Sequence, residues 1–457
     1  MVLQAGAVVL ISLLLAGGSV RAAEYYVAPS GDDRNPGSEL LPWLTIQKAA
    51  DTLNPGDAVY VHAGTYDKVS LHVSGSATGG PVTFCNYPGE VPVIDGTGVT
   101  PPDADTALFL VANRHDVIIE GFELRNYKTT NLSLTPAGIL LTGACPRVQI
   151  RRCSVHHISN TGGDTNHSGN AFGIAVYGSS TMPSTGVVID GNDVHDLQTG
   201  SSESLVLNGN VTNFQVTNNT VHDNNNIGID FIGFEGTCPD SAQDQARDGV
   251  CRGNEVWNIS SQGNQAYPDG DYSADGIYCD GAARVVVKAN RVHDNDIGIE
   301  LASEHPGKLT SQIKVRGNVI SMNRQGGLFL GGYARKGTGG TDGCTIKGNT
   351  FDQNDTLQAD NGEAQLRYRT TNCVLRGNTF YSGAGNWLIT VPVSAANNIN
   401  NRLDDNVYYS GAGADAARWS WNNQQQTGFN AWRSVSGQDA DSAFADALPI
   451  AGQAGSK

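Results

Sequence analysis

The chain has 457 residues with a formal net charge of −16, and 16% of its residues are charged. That balance fits neither a disordered acidic chain nor a charged coiled coil, and it argues against nucleic acid as a partner, because phosphate binding needs clustered Lys and Arg. After the first 20 or so residues no apolar run is long enough to cross a membrane, and Gly, with 56 copies, stands out as turn chemistry repeated many times.

In chain order, the apolar stretch from Val8 to Gly17 followed by Val20-Arg21-Ala22 reads as a signal peptide over 1–22. The mature chain then starts near Ala23, and the product is expected to be secreted. Residues 43–54 predict a short amphipathic helix, followed by the turn Pro55-Gly56-Asp57 and the strand AVYVHAG. This suits an N-terminal cap with a first strand over 23–66.

A β-rich phrase then recurs: VQIRRCSVHH at 148–157, VVIDGNDVHD at 187–196, FQVTNNTVHD at 214–223 and VVVKANRVHD at 285–294. It continues as IKVRGNVISM, CTIKGNTFDQ and CVLRGNTFYS. Asn290, Asn318, Asn349 and Asn378 are 28, 31 and 29 residues apart. Such periods, with no helical pattern between them, predict stacked coils that share one continuous core. The fold class is thus all-β, a right-handed parallel β-helix, in a single domain over 23–457 with coils across 67–385. The recurring asparagines fit a turn that tolerates αL and hydrogen-bonds its neighbours into a ladder, a structural role. The same holds for His195, His222 and His293. From about residue 386 the rhythm is lost, and a helix near Phe429–Val435 predicts an irregular C-terminal cap over 386–457. A capped solenoid needs no partner to fold, so a monomer is expected.

The eight cysteines suit an oxidising compartment. Cys238 and Cys251 bracket an acidic insertion and are expected to pair. Cys344 and Cys373 occupy equivalent repeat positions within bridging reach.

A second phrase follows on most coils: NIGIDFIG, DGIYCDGA, DIGIELAS, GGLFLGGY and AQLRYRTT. Aligned on their glycines, these place Ile229, Ile277, Ile299, Leu328 and Leu366 inward. Asp230, Tyr278, Glu300, Phe329 and Arg367 then point outward together, because strand side chains alternate. Two residues on, Ile232, Asp280, Ala302, Gly331 and Arg369 share the outer face. With strands about 4.8 Å apart, Asp230, Asp280 and Glu300 crowd into a few rungs, with Asp275, Asp296 and Glu304 at the strand ends. Such carboxylates need a cation, a shared proton or shifted pKa values to coexist. Tyr278 and Phe329 are expected to be platforms for sugar rings.

The opening YYVAPSGDDRNPGSELLPWLTIQKAA with NPGDAVYVHAGTY, and the repeats after it, resembles secreted carbohydrate-active β-helix proteins, above all the calcium-dependent pectate lyases of family nine. That resemblance implies calcium held by aspartates on successive coils, a lysine base and an acidic polysaccharide substrate. Asp275 resembles the first acidic position, and Asp296 and Glu300 the next cluster, with Ile297 where the family has a further aspartate. Where the family has Lys before Leu-Gly-Gly, this chain has Phe329 before Leu330-Gly331-Gly332. Two enzymatic readings follow. In a lyase, Asp230, Asp275, Asp280, Asp296 and Glu300 supply calcium ligands, and Arg367 or Arg369 replaces the lysine, with Lys308 and Lys336 as loop alternatives. In a glycoside hydrolase, Asp280 and Glu300 form the carboxylate pair. A third reading is a non-catalytic glycan-binding or surface β-helix.

Overall fold

The computed structural model describes residues 22–101, 105–393 and 398–446, so the expected signal peptide lies outside the described residues. Among the described residues, three sheets of thirteen strands each run along the stack, and nearly all of their pairings are parallel. Each coil contributes one strand to each sheet in turn: Val286–Lys288 to the first, Arg291–His293 to the second and Ile297–Ala302 to the third. This is the expected parallel β-helix, and its core is the shared interior. Among the described residues no helix is long and apolar enough to cross a membrane.

The Asn ladder is continuous. Asn192, Asn219, Asn254, Asn290, Asn318, Asn349, Asn378 and Asn406 are all buried, and each bonds the next through its side-chain amide. The αL conformation, however, belongs to the residue before each ladder Asn: Ala289 has φ 52°, Gly317 62° and Gly348 65°. The left-handed residue makes the corner, which leaves the Asn free to turn its amide inward. The repeated histidines also stack. Ring centroids of His156–His195, His195–His222 and His222–Trp257 lie 4.8, 5.1 and 4.2 Å apart, with carboxylates of Asp196 and Asp223 on the imidazoles.

Both caps contain the expected helices. Helix α1 (Ile46–Ala50) is N-capped by Thr45, whose hydroxyl accepts from Lys48 N, and it buries Ile46, Ala49 and Ala50 over the first coils. Helix α2 (Phe429–Ser436) buries Phe429 and Trp432 against Trp419. The coils run past residue 385: Trp387–Thr390, Arg402–Asp404 and Val407–Ser410 still pair in the three sheets. The rhythm was lost to the eye because those coils carry fewer repeat residues, while the sheet pairing persists. All eight cysteines are free thiols. The expected Cys238–Cys251 pair is not formed: Cys251 lies in the core, whereas the Cys238 thiol donates to Ser180 O at 3.4 Å. Cys344 and Cys373 do stack on consecutive coils, joined through the backbone bond from Val374 N to Cys344 O.

Candidate active face

The third sheet carries the candidate site on strands β1 (Leu205–Gly209), β2 (Ile229–Ile232), β3 (Asp275–Asp280), β4 (Ile297–Ala302), β5 (Gly326–Leu330) and β6 (Ala364–Leu366). Strands β2 to β5 enter through a glycine corner where a Cβ would collide with neighbouring atoms, including the backbone of the next coil. A Cβ on Gly276 would lie 2.9 Å from Gly298 O, and one on Gly298 would lie 2.5 Å from Gly327 O. This explains the X-Gly-apolar rhythm. It also sets the residue before the corner, Asp275 on β3, on the outer face, where it lines a cleft while remaining buried.

Register confirms most of the inferred columns. Ile229, Ile277, Ile299 and Leu328 pair in line, and so do Asp230, Tyr278, Glu300 and Phe329. The alignment slips at β6. Leu328 pairs with Ala364, Phe329 with Gln365 and Leu330 with Leu366, so Leu366 and Arg367 sit two residues further along than expected. The cause is Glu363, which occupies the corner held by Gly327 on the preceding coil. Its carboxylate turns inward to accept from Asn354 N (3.0 Å) and Asn354 Nδ2 (2.6 Å), ending a second Asn ladder that runs through Asn295 and Asn323.

Arg367 nevertheless reaches the site by folding back over two strands. Its Nη1 lies 3.2 Å from each oxygen of Glu300, its Nε donates to Gln365 Oε1 at 2.8 Å, and its guanidinium lies 3.7 Å over the Phe329 ring. Phe329, at 1% exposure, is therefore a floor under Arg367 rather than an open platform. Tyr278 is likewise buried. The aromatic rings bordering open space are Tyr267, Tyr272 and Tyr333, in loops flanking a cleft of about 560 Å³ whose floor holds Asp275, Glu300 and Arg367.

Arg369 is placed elsewhere. Its guanidinium donates to Gly339 O, Ala334 O, Arg335 O and Thr338 Oγ1, which ties down the loop after β5. Asp296 is also turned away from the cleft: one oxygen accepts from Ser261 N (2.7 Å) and Ala274 N (3.3 Å), and the other faces Arg324. Asp280 lies at the opposite margin, with one oxygen accepting from Glu304 N at 2.9 Å.

Electrostatics mark the remainder as a strained group of acids. Burial, and then Glu203 and Asp280, hold Asp230 well above the carboxylate range. Burial and then Glu300 do the same to Asp275, against the opposing pull of Arg367. Burial raises Glu300, and Arg367 pulls it back. Glu203, which the sequence reading passed over, is pushed up to about 8 by burial and then by Glu235. Its signal was available: Glu203-Ser204-Leu205 repeats the Asp275-Gly276-Ile277 pattern with Ser at the corner. Two buried oxygens here, Asp230 Oδ1 and Asp275 Oδ1, have no hydrogen-bond partner among the described residues. Neighbouring carboxylates with bare oxygens are a donor set suited to a hard cation such as Ca²⁺, which takes oxygen ligands.

Residues 25–180 match the family described as "Pel9A-like, right handed beta helix region", and residues 137–356 match "Right handed beta helix region". The chain is 36% identical over 424 residues to the uncharacterized protein YwoF of Bacillus subtilis (strain 168), covering 93% of this chain and 88% of that one. It is also 36% identical over 95 residues to pectate lyase PEL9 of Emericella nidulans, a match spanning 20% of this chain and 23% of the relative. Among solved structures it is similar to XylC in complex with xylose, with a TM-score of 0.56, 12% identity, and 93% and 87% of the two chains covered. At that identity the likeness is one of fold. The aligned coils, the acid-lined third sheet and the near full-length match together make this chain a pectate-lyase-like right-handed β-helix protein that belongs to the family of YwoF.

Proposed function

We propose that the protein is a secreted, calcium-dependent polysaccharide lyase that cleaves uronic-acid-containing glycans by β-elimination in the cleft above β2–β6. The observation that carries this reading is the pair of buried carboxylate oxygens on Asp230 and Asp275, on adjacent strands and without a hydrogen-bond partner among the described residues, with Asp275 lining a sugar-sized cleft. Asp230 and Asp275, with Glu203 beside them, would hold the cation. When bound, calcium neutralises the uronate carboxylate and makes the C5 proton more acidic. The chain supplies the rest. Glu300, whose carboxylate is paired with the Arg367 guanidinium, accepts the C5 proton. Arg367, fixed by Phe329 and Gln365, faces the negative charge that develops on the sugar. Tyr272 and Tyr333 flank the sugar rings. The C4–O bond then breaks, the departing oxygen takes up a proton from solvent to become the hydroxyl of the new reducing end, and a C4–C5 double bond is left on the new non-reducing end.

The 95-residue match to a pectate lyase supports this substrate class. One observation favours a second reading. Asp280 and Glu300, on adjacent strands, are both raised by burial, as a glycosidase proton donor must be. The test is incubation with pectate, alginate and neutral xylan, with calcium or with EDTA. The lyase reading expects ultraviolet absorbance of the unsaturated product on uronate polymers only, lost with EDTA. Reducing ends without that absorbance would overturn it in favour of hydrolysis. No product on any glycan would point to a binding module.

A further inference from the structure

At the margin of the acidic face lies a second cluster, of different composition. Glu235, Asp280 and His305 come from three separate segments: the loop after β2, the end of β3 and the loop after β4. Each offers one ligand atom, and these atoms all lie within 4.8 Å of one another. The pocket is not a chance meeting of flexible chains. Asn208 Nδ2 donates to Glu235 Oε2 at 2.6 Å, and Asn208 is itself fully buried and oriented by a bond from Thr237 Oγ1 at 2.8 Å. Asp280, 4% exposed, accepts from Glu304 N through Oδ1. The turn carrying His305 is closed by Lys308 N donating to His305 O at 3.0 Å. Each carboxylate thus spends one oxygen on its anchor and has a second to offer. Glu235 is exposed and the His305 ring is half-buried, but the independent sign of a missing ligand is on the imidazole: its Nε2 atom is shielded from solvent and has no hydrogen-bond partner among the described residues. A buried ring nitrogen without a partner is costly unless something occupies the space it faces.

We propose that Glu235, Asp280 and His305 bind a divalent first-row transition cation of the Zn²⁺ or Mn²⁺ class, at a site separate from the carboxylates assigned to calcium. The donor chemistry makes the distinction. Calcium takes an all-oxygen shell, whereas an imidazole with two carboxylates suits the borderline metals. Zn²⁺ holds imidazole nitrogen at about 2.0–2.1 Å and carboxylate oxygen at about 2.0–2.2 Å. The buried Asn208–Glu235 bond is the kind of outer partner that orients a ligating carboxylate. Three protein ligands leave a coordination position open toward solvent.

The test uses the full-length, untagged protein stripped with EDTA and titrated calorimetrically with Zn²⁺ and, in a separate arm, with Ca²⁺. One Zn²⁺ per chain is expected, with affinity weakened more than tenfold in His305→Gln and in Glu235→Gln. Ca²⁺ binding to His305→Gln should match the unmodified protein, which separates this site from the calcium reading. Circular dichroism establishes that the variants are folded. Co²⁺ in place of Zn²⁺ should give visible d–d bands without a thiolate charge-transfer band, so a thiolate band would assign the metal to cysteine and overturn the proposal. Equal Zn²⁺ affinity in His305→Gln, or no Zn²⁺ uptake by the unmodified protein, would overturn it as well. If Zn²⁺ binds as expected while Ca²⁺ does not bind at all, the calcium reading fails and this one stands.

Discussion

Arg367 and Glu300 lie two strands apart in the third sheet, yet they form one unit: Nη1 of the arginine is 3.2 Å from both oxygens of the glutamate, and Phe329 lies beneath the guanidinium. Both side chains are largely buried, with 16% and 6% exposure, so this is an ion pair withdrawn from water rather than a surface contact. Removing one partner leaves the other charge buried and uncompensated. Arg367→Ala should therefore cost about 3–5 kcal/mol of stability at neutral pH, read from denaturant unfolding, and abolish turnover. Arg367→Lys should recover much of the stability and little of the activity, because an ammonium lacks the planar stack on Phe329. Full activity in the lysine variant would show that the guanidinium geometry is immaterial.

Arg369 provides the matching control. Its four hydrogen bonds all go to the loop of residues 334–339. Arg369→Gln is expected to destabilise by about 1–3 kcal/mol, the cost of unpaired buried groups, with turnover per folded molecule within a few-fold of the unmodified enzyme. A loss as complete as that of Arg367→Ala would place Arg369 in the chemistry.

The carboxylate group predicts an unusual pH dependence in calcium-free protein. Glu203 has an ordinary value of 4.5 and is pushed up to about 8 in the fold, and Asp230 and Asp275 move in the same direction. For a raised acid, the unfolded chain loses its proton first as pH rises. The stabilising preference for the protonated form is complete below pH 4.5 and is lost progressively until about pH 8. In EDTA the melting temperature should fall across that window and then level off. Calcium, by compensating the ionised form, should flatten the fall. A melting temperature that is constant or rises through the window would contradict the burial of these acids.

The Asn ladder makes a prediction of its own. Asn318 donates to Val287 O and Asn349 Oδ1, and its own Oδ1 accepts from Asn290 N and Nδ2, all at 2.9–3.0 Å. Asn318→Ala strands several buried polar groups at once and should cost about 2–4 kcal/mol, measured by chemical denaturation. Asn→Ala at exposed Asn372 should cost far less.

How legible this molecule was in its sequence depended on what each residue's neighbours were doing. The coils announced themselves because a corner that admits only a small residue and a ladder that demands Asn recur at each turn. For the same reason Ile229, Ile277, Ile299 and Leu328 could be aligned by inspection. Leu366 could not, because Glu363 takes the glycine corner and its inward carboxylate shows only once Asn354 is seen beside it. Glu203 was hidden by a serine in the corner position. Strand parity points Arg369 to the face, and a strand-end position with the family resemblance points Asp296 there, but side-chain bonds to loop backbone turn both away. Glu235 and His305 lie in loops, where no period carries information, and only the fold brings them to Asp280.

The central claim is that the cleft breaks a uronosyl linkage by elimination, and the fate of solvent oxygen tests it most directly. Digestion of a uronate polysaccharide in heavy-oxygen water, with calcium present and products read by mass spectrometry, separates the two chemistries at the cleaved bond. Elimination forms no bond to water at that linkage, so products should be free of label beyond slow exchange at reducing ends and should carry an unsaturated non-reducing terminus. Glu300→Gln should yield no product. One heavy oxygen incorporated per cleavage, with saturated termini, would contradict the account and make Asp280 and Glu300 the pair to study as a hydrolase.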